Sequence, residues 1–138
     1  MKKYFALVTV VVFFSMLFAC GGGKYADAKK VMEELVNATE NFVNGLEKAE
    51  NASSTAAVIN AYADDMKVIT AEMKKIQEKY PEIKDQKNPP EELKEVAAKA
   101  EEVMPKMMGA MMKVAKYAQD PEVMKAQKKL QEAMANLR

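Results

Sequence analysis

Sulfur-bearing side chains are the clearest candidates for chemistry in this 138-residue chain, which holds 12 methionines, one cysteine and no histidine. Five of the methionines fall within nine residues, in the segment MPKMMGAMM that runs from Met104 to Met112. At 100° per residue on a helix, these five lie within an arc of roughly 140°. Thioether sulfur is a soft ligand suited to Cu(I). Met104, Met108 and Met111 follow one another on successive turns, so they are the candidate metal or ligand residues.

Three interpretations of this segment stay open. The simplest is a stripe that faces the core, because Met fills irregular gaps between other side chains. Leu93 and Ala100 lie on the same side of the helix, whereas Lys106 and Lys113 point the other way. The stripe could instead be an adaptable groove for a partner or small ligand, or a Cu(I) site. We expect core packing.

Pro105 and Gly109 interrupt the same segment. Inside a helix, Pro105 removes the hydrogen bond to the carbonyl of Glu101, which costs about 3 kcal/mol or produces a kink. Gly109, one turn later, weakens the helix by about 1 kcal/mol. We expect the helix to bend over residues 104–108 so that it wraps around the core. The alternative is a hinge that opens the methionine stripe to a partner.

Composition excludes several classes of function. Without histidine, the chain cannot build a Ser-His or Cys-His nucleophile or a zinc site with His ligands. The formal net charge of +1 gives no general case for nucleic-acid binding, which needs a basic face. Adjacent acids such as Asp64-Asp65 point about 100° apart on a helix and cannot share a substrate. We therefore expect a non-catalytic protein with no nucleic-acid partner.

The first twenty residues have the pattern of an export signal. A basic start, with Lys2 and Lys3, precedes the uncharged residues 4–19, which end in Leu17-Phe18-Ala19-Cys20 and three glycines. This motif resembles the lipobox of bacterial lipoproteins, in which Leu, a variable residue and a small residue precede Cys. The resemblance implies cleavage before Cys20, a diacylglycerol thioether on its sulfur, and a freed amine open to acylation. The alternatives are an ordinary cysteine after a secretory signal and an uncleaved membrane anchor.

The lipobox resemblance predicts a lipid-anchored protein of the cell envelope. By analogy with sorting in enteric bacteria, Gly21 after the cysteine favours the periplasmic face of the outer membrane. Loss of Lys2 and Lys3 with the signal reduces the 21 basic side chains to 19, against 20 acidic ones, a net charge of −1. Because no polybasic patch then holds an anionic surface, the membrane contact depends on the lipid. The expected partners are therefore the membrane, through the lipid anchor, and a protein of the cell envelope.

We expect the chain to divide into three regions: a signal peptide (1–19), a lipidated cysteine with a short glycine tether (20–24), and a folded domain (25–138). Heptad-like spacing in the folded domain predicts helices over about residues 24–51, 55–80, 91–119 and 121–137. Pro81 stops the second helix, Ser53 or Ser54 caps its start, and Asp120-Pro121 begins the fourth. Short connections then predict an all-α, up-down-up-down antiparallel four-helix bundle.

The apolar rows predict which residues line the bundle core. On the first helix the expected rows are Tyr25, Met32, Thr39 and Leu46, and Ala28, Leu35, Phe42 and Ala49. On the second helix the expected seam is Ile59, Tyr62, Met66, Ile69, Met73, Ile76 and Tyr80. On the fourth helix the expected face is Val123, Gln127, Leu130, Met134 and Leu137.

The segment LEKAENA, residues 46–52, resembles the junction between helices 1 and 2 of cytochrome b562, a periplasmic haem-binding four-helix bundle. A proline-containing loop after the second helix and a short last connection are similar too, so the resemblance covers residues 31–138 and implies the bundle fold. That family ligates haem with a Met on helix 1 and a His on helix 4. Here the Met position falls near Val36 and the chain has no His. We therefore expect no haem, and no cofactor beyond the covalent lipid.

Overall fold

The computed structural model describes residues 23–84 and 89–135, which form four α-helices. These are α1 (Ala26–Lys48), α2 (Ala52–Lys79), α3 (Lys94–Lys116) and α4 (Pro121–Ala135), with single 3-10 turns at Pro81–Lys84 and Glu91–Leu93. The described residues contain no strand. The predicted all-α four-helix bundle is therefore confirmed.

Two proline signals set helix ends as predicted. α2 ends at Lys79, one residue short of the predicted Tyr80. Tyr80 precedes Pro81 and has left the helical region, as a residue before proline does. Pro121 is the first residue of α4, and the Asp120 carboxylate accepts a hydrogen bond from the Glu122 backbone N–H over 2.9 Å. Asp120 thus acts as the predicted cap.

The start of α2 differs from the prediction. Asn51 is the N-cap rather than Ser53 or Ser54: its Oδ1 accepts from the Ser54 N–H over 2.8 Å. In return, the Ser54 Oγ accepts from the Asn51 N–H over 3.2 Å. This reciprocal capping box satisfies two backbone donors at once, so the helix begins a few residues earlier than a single serine cap would allow.

The four helices alternate in direction as predicted, but their packing order is not the chain order. α1 packs against α2 and α3, and α2 also packs against α4. Between α2 and α4, Lys129 Nζ donates to the Asp64 carboxylate over 2.8 Å, and the Thr70 hydroxyl donates to the Ala133 carbonyl over 3.2 Å. The contact further along α2, at Thr70, is also the one further along α4, at Ala133, so α2 and α4 run in the same direction.

The predicted seams of α1 and α2 form the centre of the core. Phe42 stacks on Tyr62 with ring centroids 4.4 Å apart, and the Tyr62 hydroxyl lies 3.2 Å from the Thr39 hydroxyl. Burial raises the pKa of Tyr62. The rest of the predicted α2 seam is buried at Met66, Ile69, Ile76 and Tyr80 and partly buried at Met73; Ile59 is 1% exposed. Every member of the two α1 rows is buried or half-buried.

The chain enters the bundle through a polar and aromatic cluster at the start of α1. Lys24 Nζ and the Tyr25 hydroxyl both donate to Glu82 Oε1, over 2.6 and 2.8 Å. These hydrogen bonds, that of Lys24 first, lower the pKa of Glu82 to about 2. Tyr25 also packs on Tyr80 with ring centroids 5.1 Å apart. The entry point of the domain is thus tied to the far end of α2.

Gly45 allows α1 to approach α2 closely, because a Cβ at this position would lie 2.9 Å from Val58 Cγ1. We expect Gly45→Ala to lower the free energy of unfolding by about 1 kcal/mol. Overpacking costs roughly 1–3 kcal/mol, which exceeds the gain of about 1 kcal/mol in helix propensity. Chemical denaturation measures the change. The double variant Gly45→Ala/Val58→Ala is the matched control and should regain stability relative to Gly45→Ala; equal stabilities of wild type and Gly45→Ala would contradict the steric account.

Candidate functional site

α3, which carries the methionine segment, is fixed to α1 at both of its ends. At its start, the Tyr25 backbone N–H donates to the Glu92 carboxylate over 3.3 Å. At its other end, the Tyr117 hydroxyl donates to the Glu50 carbonyl over 3.0 Å. The N-terminal ends of α1 and α3 are thus tied to each other, as are their C-terminal ends, so the two helices run parallel. The methionine segment lies between these two ties.

A row of branched and small side chains forms the buried face of α3 and of the turn before it. Its buried members are Leu93, Val96, Val103, Ala110 and Val114, with Ala100 and Met107 partly buried beside them. Spacings of three and four residues are typical of a seam between packed helices. This row supplies the apolar stripe that α3 needs against its neighbour.

Four of the five clustered methionines face away from the core. Met104 is 61% exposed, Met108 75%, Met111 40% and Met112 78%. The expectation of core packing is therefore wrong for these four, because the valine row already fills the contact; Met107 alone packs at the edge of the core. We name Met104, Met108, Met111 and Met112 the methionine face.

The charged side chains of α3 lie around the methionine face and not within it. At 100° per residue its four members span an arc of about 100°. Lys106 and Lys113 lie on the opposite side of the helix, and Lys113 donates to a main-chain carbonyl of α1 over 2.6 Å. Glu101 lies on the same side, one turn before the face begins. Lys116, the nearest cation at its far end, has its Nζ 5.4 Å from the Tyr117 ring centroid.

Met112 is the member of the face that the sequence reasoning did not single out as a ligand. It is the most exposed of the four. The structure brings the three predicted candidates, Met104, Met108 and Met111, to the same exposed surface. Residues four apart are neighbours on a helix, so the spacing from Met108 to Met112 was the signal that could have found it.

Pro105 and Gly109 lie beside the methionine face, inside an uninterrupted α3. Both are exposed. A Cβ built on Gly109 meets nothing within 4 Å, so close packing does not require glycine there. The bend over residues 104–108 stays a prediction, as does a hinge at Pro105 and Gly109.

On α4, the exposed methionines are separate from one another. The buried row is Val123, Ala126 and Ala133, with Leu130 partly buried. Met134, expected on this row, is 41% exposed, and Met124 is 49% exposed. α4 thus buries Ala126 and Ala133 together with Val123, and Met134 is not among its buried residues. Leu137 lies outside the described residues.

The other surfaces of the described residues are weaker candidates for a functional site. An open groove of about 830 Å³ runs between α2 and α4 and is bordered by Lys125, Lys128 and Lys129, of which Lys129 is paired with Asp64. In residues 23–84 and 89–135, no three His, Cys, Asp or Glu side chains come together as metal ligands. Cys20, the predicted lipidation site, lies outside the described part of the chain.

Comparisons with known proteins found no matching family model, no matching curated protein and no matching solved structure. Among the helices that the structure describes, none combines the length and the apolar character needed to cross a bilayer.

Proposed function

We propose that the protein is a lipid-anchored lipoprotein of the bacterial cell envelope that has no catalytic activity and acts by binding a partner. The observation that carries the binding role is the exposure of the methionine face. Exposed apolar clusters of this kind mark interaction sites more often than isolated exposed residues do. Methionine suits such a surface because its unbranched, polarizable side chain adapts to partners of different shape.

The anchor is supported by the motif Leu17-Phe18-Ala19-Cys20 and the glycines after it. Three glycines span at most about 11 Å, so a lipid on Cys20 keeps the start of α1 close to the membrane. This address, on the periplasmic face of the outer membrane, is part of the same proposal.

With that anchor, the methionine face lies part of the way along the bundle from its anchored end. α3 starts at the same end of the bundle as α1, where the Tyr25 N–H meets Glu92. At 1.5 Å per residue, Met104 lies about 15 Å and Met112 about 27 Å along α3 from Lys94. A partner in the periplasmic space, or one anchored in the same membrane, can reach a face at this distance from the anchored end.

Site-specific photo-crosslinking in intact cells tests the binding role. A photoreactive residue in place of Met108 is expected to give at least fivefold more of a defined adduct than the same residue in place of Lys106. Lys106 is the matched control, because it lies on the same helix at a similar distance from the anchored end but on the opposite side. Equal adducts from both positions, or none from either, would argue against a binding role for the methionine face.

A further inference from the structure

We propose that the methionine face is a binding site for one Cu(I) ion, with thioether sulfurs as its ligands. Thioethers are soft, neutral donors, and soft sulfur ligands select Cu(I) among biological metals. The inference goes beyond the proposed binding role by naming a ligand. It rests on the methionine face alone and not on the lipid anchor.

The spacing of the four methionines provides a compact ligand set. Met108, Met111 and Met112 stand in an i, i+3, i+4 relation, so their Cβ atoms are roughly 5–6 Å apart. Met104 lies one turn earlier on the same side. Three rotatable bonds in each side chain let the sulfurs turn toward one another. An ion bound there would have three ligands from a single turn and a fourth within reach.

Because the methionine face is exposed, binding a metal there does not require side chains to leave the core. Met108 and Met112 are 75% and 78% exposed, so their sulfurs can turn to a metal without leaving a cavity in the core. The buried face of α3 is made by other residues, chiefly Val103, Ala110 and Val114. The metal-loaded and metal-free proteins can therefore share one core.

The charges around the face do not oppose a bound cation. Neutral ligands leave a bound Cu(I) with its full positive charge, so nearby cations oppose binding. Lys106 and Lys113 lie on the other side of α3, and Lys116 has its Nζ 5.4 Å from the Tyr117 ring centroid. Glu101, on the same side as the face, provides a negative charge one turn away.

Titration of the full chain in detergent tests the site, with Cu(I) kept reduced by ascorbate without oxygen and a chromophoric Cu(I) chelator as competitor. We expect one Cu(I) per chain and at least tenfold weaker binding by Met108→Leu/Met112→Leu. Leucine keeps the apolar surface and the helix but removes the sulfur. The matched control is Met124→Leu/Met134→Leu on α4, which should bind like the wild type. Circular dichroism checks that every variant is folded.

A second readout separates thioether ligands from a thiol. Thioethers do not ionise, so the affinity should change less than threefold between pH 5 and pH 7.5, whereas a Cys20 thiolate would bind more tightly as pH rises. Cys20→Ala should bind as tightly as the wild type. The proposal is overturned by no binding at micromolar Cu(I), by binding that survives Met108→Leu/Met112→Leu, or by binding lost in Cys20→Ala. Because leucine preserves an apolar docking surface, failure of the Cu(I) site would leave the crosslinking test of partner binding unaffected.

Discussion

Replacing Pro105 with alanine is expected to raise the free energy of unfolding by about 2 kcal/mol. A proline inside a helix costs about 3 kcal/mol relative to alanine, because it lacks the N–H that would bond the carbonyl four residues earlier. Part of that gain, about 0.4–1 kcal/mol, is offset because proline also restricts the unfolded chain. Pro105 is exposed within α3, so alanine leaves no cavity there. Thermal or urea unfolding followed by circular dichroism measures the change.

Two variants of the same helix serve as references for Pro105→Ala. Gly109→Ala should stabilise by about 1 kcal/mol, because its added Cβ meets nothing within 4 Å. Lys106→Ala, also at an exposed position, should change stability by less than about 0.5 kcal/mol. If Pro105→Ala instead destabilises the protein, the proline provides a bend that α3 needs to pack on α1. A stabilised variant with unchanged crosslinking from position 108 would remove the hinge hypothesis.

Replacing Cys20 with alanine is expected to abolish lipid attachment altogether. The thiol is the acceptor for diacylglycerol in the proposed lipoprotein, and no other side chain of the chain can form that thioether. Two or three acyl chains anchor a protein stably, at about 0.8 kcal/mol per buried CH₂. Wild-type protein should therefore incorporate radiolabelled palmitate and begin at a modified Cys20 by mass spectrometry. Cys20→Ala should show neither the label nor cleavage at that bond.

Phe18→Ala is the matched control for the lipidation test. Phe18 occupies the variable position of the motif, between Leu17 and Ala19, so its replacement should leave lipidation intact. Native wild-type protein with an uncleaved N-terminus would instead favour the membrane-anchor alternative. A free thiol on a cleaved chain would favour an ordinary cysteine after a secretory signal.

The fold was predictable from the sequence where backbone chemistry is explicit. Pro81 and Asp120-Pro121 end and begin helices for reasons that belong to single residues, and the structure confirms both boundaries. The cap of α2 was harder, because Asn51, Ser53 and Ser54 are all good capping residues. The reciprocal hydrogen bonds between Asn51 and Ser54 make Asn51 the cap. A prediction based on single residues does not take such a pair into account.

The burial of α3 could not be predicted from its own pattern. Its apolar residues form two neighbouring rows, one through Val103 and Val114 and one through Met104 and Met108. The centre of the combined apolar arc falls between the rows. Which row is buried depends on where the neighbouring helix lies, and α3 packs chiefly on α1. The sequence therefore identified the candidate methionines but not their exposure.

The exposed position of the four sulfurs also determines how the molecule responds to oxidants. Conversion of a thioether to its sulfoxide makes the side chain polar, and Met108 and Met112 present their sulfur to solvent. Met66, only 4% exposed, is shielded within the bundle. Peroxide or hypochlorite would therefore be consumed at the outside of α3 first. That damage would wet one surface, spare the interior packing, and be reversible by a sulfoxide reductase.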